Sequence, residues 1–378
     1  MSPALIARPH VELGRHAVSL EDLMADMARQ HADLPRLAAY LRTARSTGVL
    51  TRYFTRPLDS ATVAGNASFE ERNRAAYDDA LDLSLRAVPR ALENAGLALA
   101  DIDCVITSHT TSWTAPSLDV DLVQALGRGG LRPDISRIPL GSQGCAGGAQ
   151  ALALAHDHIA AHPDARVLIV VAECLSAATY NPVDTSRESM IYKVLFGDSA
   201  AACVVSGREA DGVGGGPRFR IDDTWQYALP GSLSVYEGRL DAYGLHFDST
   251  RDATRAIGRT APALREWLSE AGAFAPDFCV VHAGGPAILN SAEEVLRGDL
   301  GADGGADGDE RDPDGGARGR TGPLRHSWDS LEQYGNLGGA SVLDVLRRSF
   351  DDSEPGRRGV LLGFGPGFAI SACRLSSV

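Results

Sequence analysis

The strongest candidate for a reactive group in this sequence is Cys145, within the stretch RIPLGSQGCAGGAQALALAHDHIA. An apolar strand is predicted to end there, a glycine-containing turn follows, and a long helix begins beside the cysteine. Unpaired backbone N–H groups and the helix dipole favour a thiolate at such a position. A thiolate attacks acyl donors and carries the acyl group covalently. The pattern therefore indicates an acyl-carrying nucleophile, and the alternative is a small core residue in a glycine-rich turn.

Two further polar residues lie at glycine-rich turns. His282 ends the predicted strand FCVVH and precedes a Gly-Gly-Pro turn, a place where α/β sheets bind ligands. Taken alone, such a histidine is more often structural. Asn336, in EQYGNLGGASVLDVL, precedes a predicted helix and is either a functional amide or an N-cap.

Together these three residues predict decarboxylative acyl chemistry. Cys145 accepts an acyl group, while His282 and Asn336 donate N–H groups to a thioester carbonyl. Such donors stabilise the oxyanion or enolate that forms when a malonyl unit loses carbon dioxide. The six cysteines show no CxxC pair and no nearby Cys/His cluster, which argues against a zinc site and a disulfide framework. Most of them are expected to be small core residues in strands.

The elements that must position these residues are alternating apolar strands and amphipathic helices in two halves. Uninterrupted apolar strands are expected to be buried on both faces, and the alternation predicts a layered α/β protein with a duplicated core. We divide the chain into residues 1–225, carrying the cysteine, and 226–378, carrying the histidine and asparagine. The predicted strands are 103–109, 137–140, 165–174, 200–207, 277–285 and a final strand at 358–365. The predicted helices are 70–98 with Gly96 as C-cap, 119–127, 146–161, 250–271, one beginning near 286, and 338–350.

Composition excludes several classes of function. The net charge of −13 over 378 residues argues against nucleic-acid and anionic-membrane partners. The sequence contains no apolar run of signal-peptide or membrane-spanning length, so we expect a cytoplasmic protein. The Gly/Asp-rich segment 298–323 lacks the apolar residues needed to offset ordering entropy. It is predicted to be a flexible acidic surface loop, with a partner-binding loop as the alternative.

Five motifs in order resemble the type III polyketide synthases, the chalcone-synthase-like branch of the thiolase superfamily. They are GCAGGAQALALA, LFGDSAAACVV, VVHAGGPAIL, YGNLGGASVLDVL and GFGPGFAI, and the resemblance runs from about residue 40 to the end. The stretches CVITSHTTSW and ESMIYKVLFGD resemble the actinobacterial germicidin-type α-pyrone synthases. The resemblance implies a homodimer with the five-layered αβαβα thiolase fold and no cofactor beyond CoA thioester substrates. It also implies that an acyl starter, on CoA or on acyl carrier protein, loads onto Cys145. Malonyl-CoA or a substituted malonyl-CoA then extends it iteratively before cyclisation.

The resemblance also assigns binding residues. Phe196 and Phe247 match the two aromatics that separate the CoA tunnel from the reaction cavity. Arg42 matches a CoA-binding basic residue; the neighbouring basic positions hold Ala39 and Ser46, and Arg45 is the candidate substitute. The remaining substrate-binding positions are Thr110, Trp113, Ala115, Leu175, Ala178, Tyr192, Gly238, Leu245, Gly338, Gly365 and Pro366. The lining looks apolar, which favours an aliphatic starter. Thr110 replaces a cysteine of the bacterial tetrahydroxynaphthalene synthases, which counts against that product.

Two other functions fit part of the pattern. A ketoacyl-ACP synthase III uses the same three residue types for a single condensation, although its histidine and asparagine lie in different local motifs. A catalytically silent member acting as a scaffold or dimer partner is the second. The joint retention of Cys145, His282 and Asn336 argues against it.

Overall fold

The strands form one large mixed sheet and two small antiparallel ones. The computed structural model describes residues 3–207, 218–250, 252–270, 272, 275–297 and 322–378. The predicted loop at 298–323 lies outside them except for its last two residues. The strands are β1 Ala4–Ile6, β2 His10–Leu13, β3 His16–Ser19, β4 Thr51–Phe54, β5 Cys104–His109, β6 Ser136–Gly141, β7 Arg166–Glu173, β8 Ser199–Ser206, β9 Phe219–Ala228, β10 Tyr236–Asp241, β11 Gly244–Ser249, β12 Phe278–Val281, β13 Arg358–Gly365 and β14 Ala369–Ser377.

All six predicted helices are present, and the structure adds five that were not predicted, at 20–30, 37–45, 175–179, 187–195 and 325–334. In chain order, the helices are α1 Leu20–Gln30, α2 Leu37–Arg45, α3 Phe69–Ala95, α4 Leu118–Gly127, α5 Gly147–Ala161, α6 Leu175–Thr179, α7 Arg187–Leu195, α8 Asp252–Ser269, α9 Pro286–Arg297, α10 Arg325–Tyr334 and α11 Ser341–Ser349. The longest, α3, begins with a capping box between Ser68 and Glu71 and ends at Gly96, whose φ is 68°. Gly96 is therefore the predicted C-cap, since glycine adopts this left-handed conformation without steric cost.

The sheet order and the hydrophobic cores define five layers. The large sheet runs β12-β13-β14-β9-β1-β8-β7-β5-β6, and β2 also pairs with β8. One core lies between α3, α4 and one face of β5, β7 and β8. A central core surrounds α5 and α11 between the two halves of the sheet, and a third lies between β12, β13, β14 and the helices α8 and α9. This αβαβα arrangement confirms the predicted fold, and its central helices α5 and α11 both begin beside the candidate site.

Two expectations about the strands are wrong. The strand predicted at 137–140 is not buried: no residue of β6 is, because β6 is an edge strand paired only with β5 among the described strands. By contrast, every residue of β8 is buried, as predicted. The strand at 358–365 is not the last, because the chain turns back and β14 pairs antiparallel with it. The sequence AISACRLSS mixes polar and apolar residues, so it lacks the apolar run typical of the other buried strands.

The described residues also bear on membranes, metals and cysteines. No helix in the described ranges combines the length and apolarity that crossing a bilayer requires. Across the same ranges, the acidic, histidine and cysteine side chains form no group of three or more able to hold a metal ion. All six cysteines are buried and free of disulfides. Four of them lie in strands, as predicted: Cys104, Cys203, Cys279 and Cys373.

Candidate active site

Cys145 lies in a tight turn between β6 and α5. The turn is a 3-10 segment, Gly144–Ala146, and the backbone N–H of Gly144 donates to Thr110 Oγ1 over 3.1 Å. Close packing fixes the start of α5, because a Cβ added at Gly148 would lie only 2.3 Å from the carbonyl oxygen of Gly339. Only glycine permits this approach. It brings the cysteine turn beside the segment that carries Asn336.

Asn336 presents its amide to the cysteine. Its backbone N–H donates to Leu195 O over 2.7 Å, and its side-chain Oδ1 accepts from the Gly338 N–H over 2.8 Å. Nδ2 donates to Gly284 O over 3.4 Å, and the amide is close enough to the Cys145 sulfur to lower the pKa of the thiol. The N-cap position of α11 is Ala340, so Asn336 is not its N-cap. With the oxygen and one N–H engaged, the second amide N–H is the donor available to the site.

His282 follows β12 and is a neutral, buried ring. Its backbone N–H donates to Leu362 O over 2.9 Å, and its side chain is 3% exposed. Burial lowers the pKa of His282 to about 3, because low-dielectric surroundings disfavour the imidazolium. Within the described part of the chain, Nδ1 has no hydrogen-bond partner. In a histidine with a purely structural role, this buried nitrogen would normally have a hydrogen-bond partner. The ring therefore retains hydrogen-bonding capacity for another molecule.

The electrostatics of Cys145 differ from the sequence expectation. Burial, with a further contribution from Glu173, raises the pKa of the Cys145 thiol to about 12, while Asn336 and Tyr236 oppose the rise. The predicted thiolate-favouring influence of the helix start is therefore outweighed in the free protein. Desolvation acts on the whole charge, whereas a helix terminus supplies only a fraction of one.

Sequence reasoning missed Glu173, the last residue of β7. Its Oε2 accepts from the Thr110 N–H over 3.2 Å, and its Oε1 has no partner among the described residues. Burial raises the pKa of Glu173 to about 8, although hydrogen bonds from Thr110 and Thr111 oppose it. The group is therefore protonated at neutral pH. A carboxylate ending the otherwise apolar run ARVLIVVAEC was the signal available in the sequence.

A Glu173→Gln variant should change how stability depends on pH. The carboxyl keeps its proton up to about pH 8 when folded but loses it near 4.5 when unfolded. The unfolded chain binds fewer protons across this window, so the wild-type free energy of unfolding should fall as pH rises through it. The variant cannot ionise and should lose less stability. Urea unfolding at a series of pH values measures this, and parallel curves for the two proteins would contradict the assignment.

Four aromatic rings, Tyr192, Phe196, Tyr236 and Phe247, form what we call the aromatic box. The predicted pair Phe196 and Phe247 meet edge to face with centroids 5.7 Å apart. Tyr192 stacks on Phe196 at 5.0 Å, and Tyr236 stacks on Phe247 at 5.8 Å. A parallel backbone bridge joins Phe196 to Asn336, which ties the box to the site. Sequence reasoning missed Tyr236 because the β10–β11 hairpin was not predicted.

Some of the other predicted binding residues are buried, and others lie on the surface. Leu175, Ala178 and Leu245 are buried, and the Leu175 side chain lies beside Gly338.

Gly238 pairs with Phe247 across the hairpin but is exposed. Gly365 is the last residue of β13, and the ring of the next residue, Pro366, packs against Gly144. Also on the surface are Trp113, which is 61% exposed, and Ala115, Arg42 and Arg45.

The sequence is similar to one family model and to known enzymes. The family model described as chalcone and stilbene synthases, N-terminal domain, matches residues 23–209. A 1,3,6,8-tetrahydroxynaphthalene synthase of Streptomyces coelicolor is 34% identical over 96% of this chain and 90% of its own length. A phloroglucinol synthase of Pseudomonas fluorescens is 32% identical over 95% of each chain.

Solved structures show the same relationship. The crystal structure of the Streptomyces coelicolor tetrahydroxynaphthalene synthase, a bacterial type III polyketide synthase, has a TM-score of 0.85 at 33% identity, covering 98% of this chain and 99% of that one. Germicidin synthase of Streptomyces coelicolor, also a type III polyketide synthase, has a TM-score of 0.85 at 31% identity and full coverage of both chains. The germicidin-type relatives predicted from the motifs are thus matched about as well as the tetrahydroxynaphthalene synthase.

Proposed function

Because this chain belongs to the type III polyketide synthases, which are acyltransferases, we propose that it extends an acyl starter iteratively with malonyl-CoA-type units on Cys145. The product is a cyclised chain such as an α-pyrone. The observation that carries the proposal is the Asn336 amide, which faces the Cys145 sulfur while its oxygen is held by the Gly338 N–H. His282, neutral and buried, supplies the second donor.

The chemistry follows from these donors. Cys145 loses its proton and attacks the starter thioester, so that an S–C bond forms and CoA leaves as its thiol. Malonyl-CoA then loses carbon dioxide, and N–H groups of His282 and Asn336 stabilise the resulting enolate oxygen. The enolate carbon attacks the acyl group on Cys145, the C–S bond breaks, and the cysteine is regenerated as thiolate. Repetition requires only that the lengthened chain reload onto the sulfur.

The proposed contacts with the substrates involve two exposed arginines and two residues of the aromatic box. Arg42 and Arg45 are exposed on α2 and supply positive charge for the phosphates of CoA. Phe196 and Phe247 separate this entry from the reaction cavity. We propose that CoA thioesters are the only small molecules required, with the starter carried on CoA or on an acyl carrier protein. Thr110, which stands where the resemblance gives tetrahydroxynaphthalene synthases a cysteine, supports a pyrone over tetrahydroxynaphthalene.

We propose that the enzyme is a homodimer joined along β6. This strand has β5 on one side, and its other edge offers backbone N–H and C=O groups with no described strand beside it. Such an edge is a template for pairing with a second copy. Trp113 and Ala115 are exposed in the loop that follows the neighbouring strand β5. A homodimer with this interface would cover both features.

Product analysis tests the proposal. The protein is incubated with malonyl-CoA and a panel of acyl-CoA starters, and the products are identified by mass spectrometry. We expect pyrones or resorcinols containing more than one added unit, with aliphatic starters preferred because much of the predicted lining is apolar. Products of a single condensation would instead support the ketoacyl-synthase III alternative. Tetrahydroxynaphthalene from malonyl-CoA alone would contradict the pyrone assignment.

A further inference from the structure

A buried histidine, His246, joins the hairpin of β10 and β11 to the segment that precedes α7. Its Nδ1 donates to Asp184 Oδ2 in that segment over 2.5 Å, and its Nε2 lies 2.9 Å from Oδ1 of Asp241, the last residue of β10. The His246 side chain is only 6% exposed. One imidazole therefore bridges two carboxylates that lie in different parts of the chain.

The two contacts of the His246 ring are of different kinds. The contact with Asp184 is a hydrogen bond. Nε2 is at ion-pair distance from Asp241, but it makes no aligned hydrogen bond to any described residue. The attraction at Nε2 therefore depends on the charge of the ring more than on a directed N–H. Only the imidazolium form holds both carboxylates.

Within the hairpin, the charged group that faces His246 is Arg239, its pairing partner on β10. Arg239 NH1 lies 3.1 Å from Asp241 Oδ2, and its Nε lies 2.9 Å from Asp248 Oδ2. The positive charge of Arg239 lowers the pKa of His246. The hydrogen bond to Asp184 and the contact with Asp241 outweigh it, so the pKa of His246 is raised above its usual value.

The helices packed against β11 carry two further cations, and both donate to backbone carbonyl groups. On α7, Lys193 Nζ donates to the backbone oxygen of Asp184 over 2.8 Å. On α3, Arg72 NH1 donates to the backbone oxygen of Tyr180 over 3.0 Å. Helix α6, which also contacts β11, has the sequence LSAAT and no titratable side chain. Among the described residues, His246 is therefore the side chain that pairs with the Asp184 carboxylate.

Strand β11 is buried on both faces from Gly244 to Phe247. Because successive side chains of a strand point to opposite faces, His246 and Phe247 lie on different sides of it. Phe247 belongs to the aromatic box, with its ring centroid 5.7 Å from that of Phe196. A Cβ added at Gly244 would lie 2.8 Å from the carbonyl oxygen of Ala178, so the start of β11 packs closely on α6. Holding one face of this strand in place holds the other.

We propose that His246 is a positioning residue that bridges Asp184 and Asp241 and so keeps Phe247 in place in the aromatic box. The box lies, by the proposed function, between the entry for CoA and the reaction cavity, where the acyl chain of the starter must pass. The inference rests on that function. None of the three proposed reacting residues lies on the hairpin, so the effect falls on starter binding more than on the chemical steps.

The test measures KM and kcat for a straight-chain acyl-CoA starter between about pH 6 and about pH 9, where an imidazole with a raised pKa titrates. In His246→Gln we expect KM at the low end of this range to rise about tenfold, the order expected for losing a hydrogen bond to a charged group. The kcat should change less. The wild-type KM should rise with pH, because the imidazolium is lost as pH rises through its pKa. The KM of the variant should lack this dependence.

Two further variants sharpen the comparison. His156→Gln is the matched control, because it makes the same change at a histidine on α5 whose Nδ1 lies 3.3 Å from Asp157. It should keep the wild-type KM and pH profile. Asp241→Asn changes a side chain that is 36% exposed, so it should fold even if His246→Gln does not. It should raise KM in the same direction by a smaller factor.

A measurement without substrate separates this inference from the function it rests on. Hydrogen exchange of the β11 amides, read by mass spectrometry at one low pH, should be faster in His246→Gln than in the wild type and the control. A wild-type KM, pH profile and exchange rate in His246→Gln would overturn the inference, as would equal changes in His156→Gln. If the wild type forms no condensation product while β11 exchange still responds to His246→Gln, the proposed function fails and the role of His246 in holding the hairpin stands.

Discussion

Replacing Cys145 with alanine should lower product formation from malonyl-CoA and an acyl-CoA starter by about 10⁴-fold or more, the scale seen when a covalent nucleophile is removed. Without the sulfur, the acyl group has no covalent attachment, so each condensation would require two free thioesters to meet in the site. The substitution removes one small buried side chain and should leave the fold intact. Quantitative mass spectrometry of the products measures the loss.

Cys104→Ala is the matched control, because it makes the same chemical change at another buried cysteine, in β5. It should retain wild-type activity, and both variants should unfold at temperatures close to that of the wild type. Equal activity of Cys145→Ala and the control would refute covalent loading at this residue. A folded wild type with no activity on any starter, carrier-bound or free, would favour the silent scaffold.

Replacing Asn336 with aspartate should slow malonyl-CoA decarboxylation by about 10²–10³-fold, the usual cost of losing one oxyanion donor. Aspartate keeps an oxygen that can accept from the Gly338 N–H, now 2.8 Å from Asn336 Oδ1, but replaces the donor with a second acceptor. The local turn should therefore survive while stabilisation of the enolate is lost. Release of carbon dioxide or formation of acetyl-CoA reports the rate of this step.

Asn336→Ala gives a second view of the same residue. This substitution removes both the N–H donor and the turn contact. The variant should therefore decarboxylate malonyl-CoA at least as slowly as Asn336→Asp and should also be less stable. Asn94→Ala is the control, because Asn94 lies on α3, donates to the Arg8 carbonyl oxygen and is not one of the proposed site residues. A decarboxylation rate in Asn336→Asp equal to that of the wild type would remove Asn336 from the proposed donors.

Much of the fold could be predicted from the sequence because its central strands are uninterrupted apolar runs. β7 and β8 are such runs, and α3 has both a helical apolar spacing and a glycine C-cap. The hairpin of β10 and β11 could not be predicted in this way, since β10 carries mostly exposed residues and lacks an apolar run. β6 was predicted as a strand but not as an edge, because its burial depends on which neighbours it pairs with. The division into halves at residue 225 stays a prediction.

The candidate site was predictable in its members but not in its electrostatics. Cys145, His282 and Asn336 each stand at a glycine-rich turn, and the fold places the Asn336 amide beside the Cys145 sulfur. The high pKa of the thiol depends on burial and on Glu173, which is close in space but 28 residues away along the chain. Tyr236, which opposes the rise of that pKa, likewise belongs to a separate hairpin. Spacing along the sequence cannot supply either contact.

The most direct test of covalent acyl transfer on Cys145 is the mass of the protein after brief exposure to an acyl-CoA starter without malonyl-CoA. The account predicts a mass increase equal to one acyl group, located by peptide mapping on Cys145 and absent from Cys145→Ala. An acyl group attached to a different residue, or an unmodified protein that still forms products when malonyl-CoA is added, would contradict it.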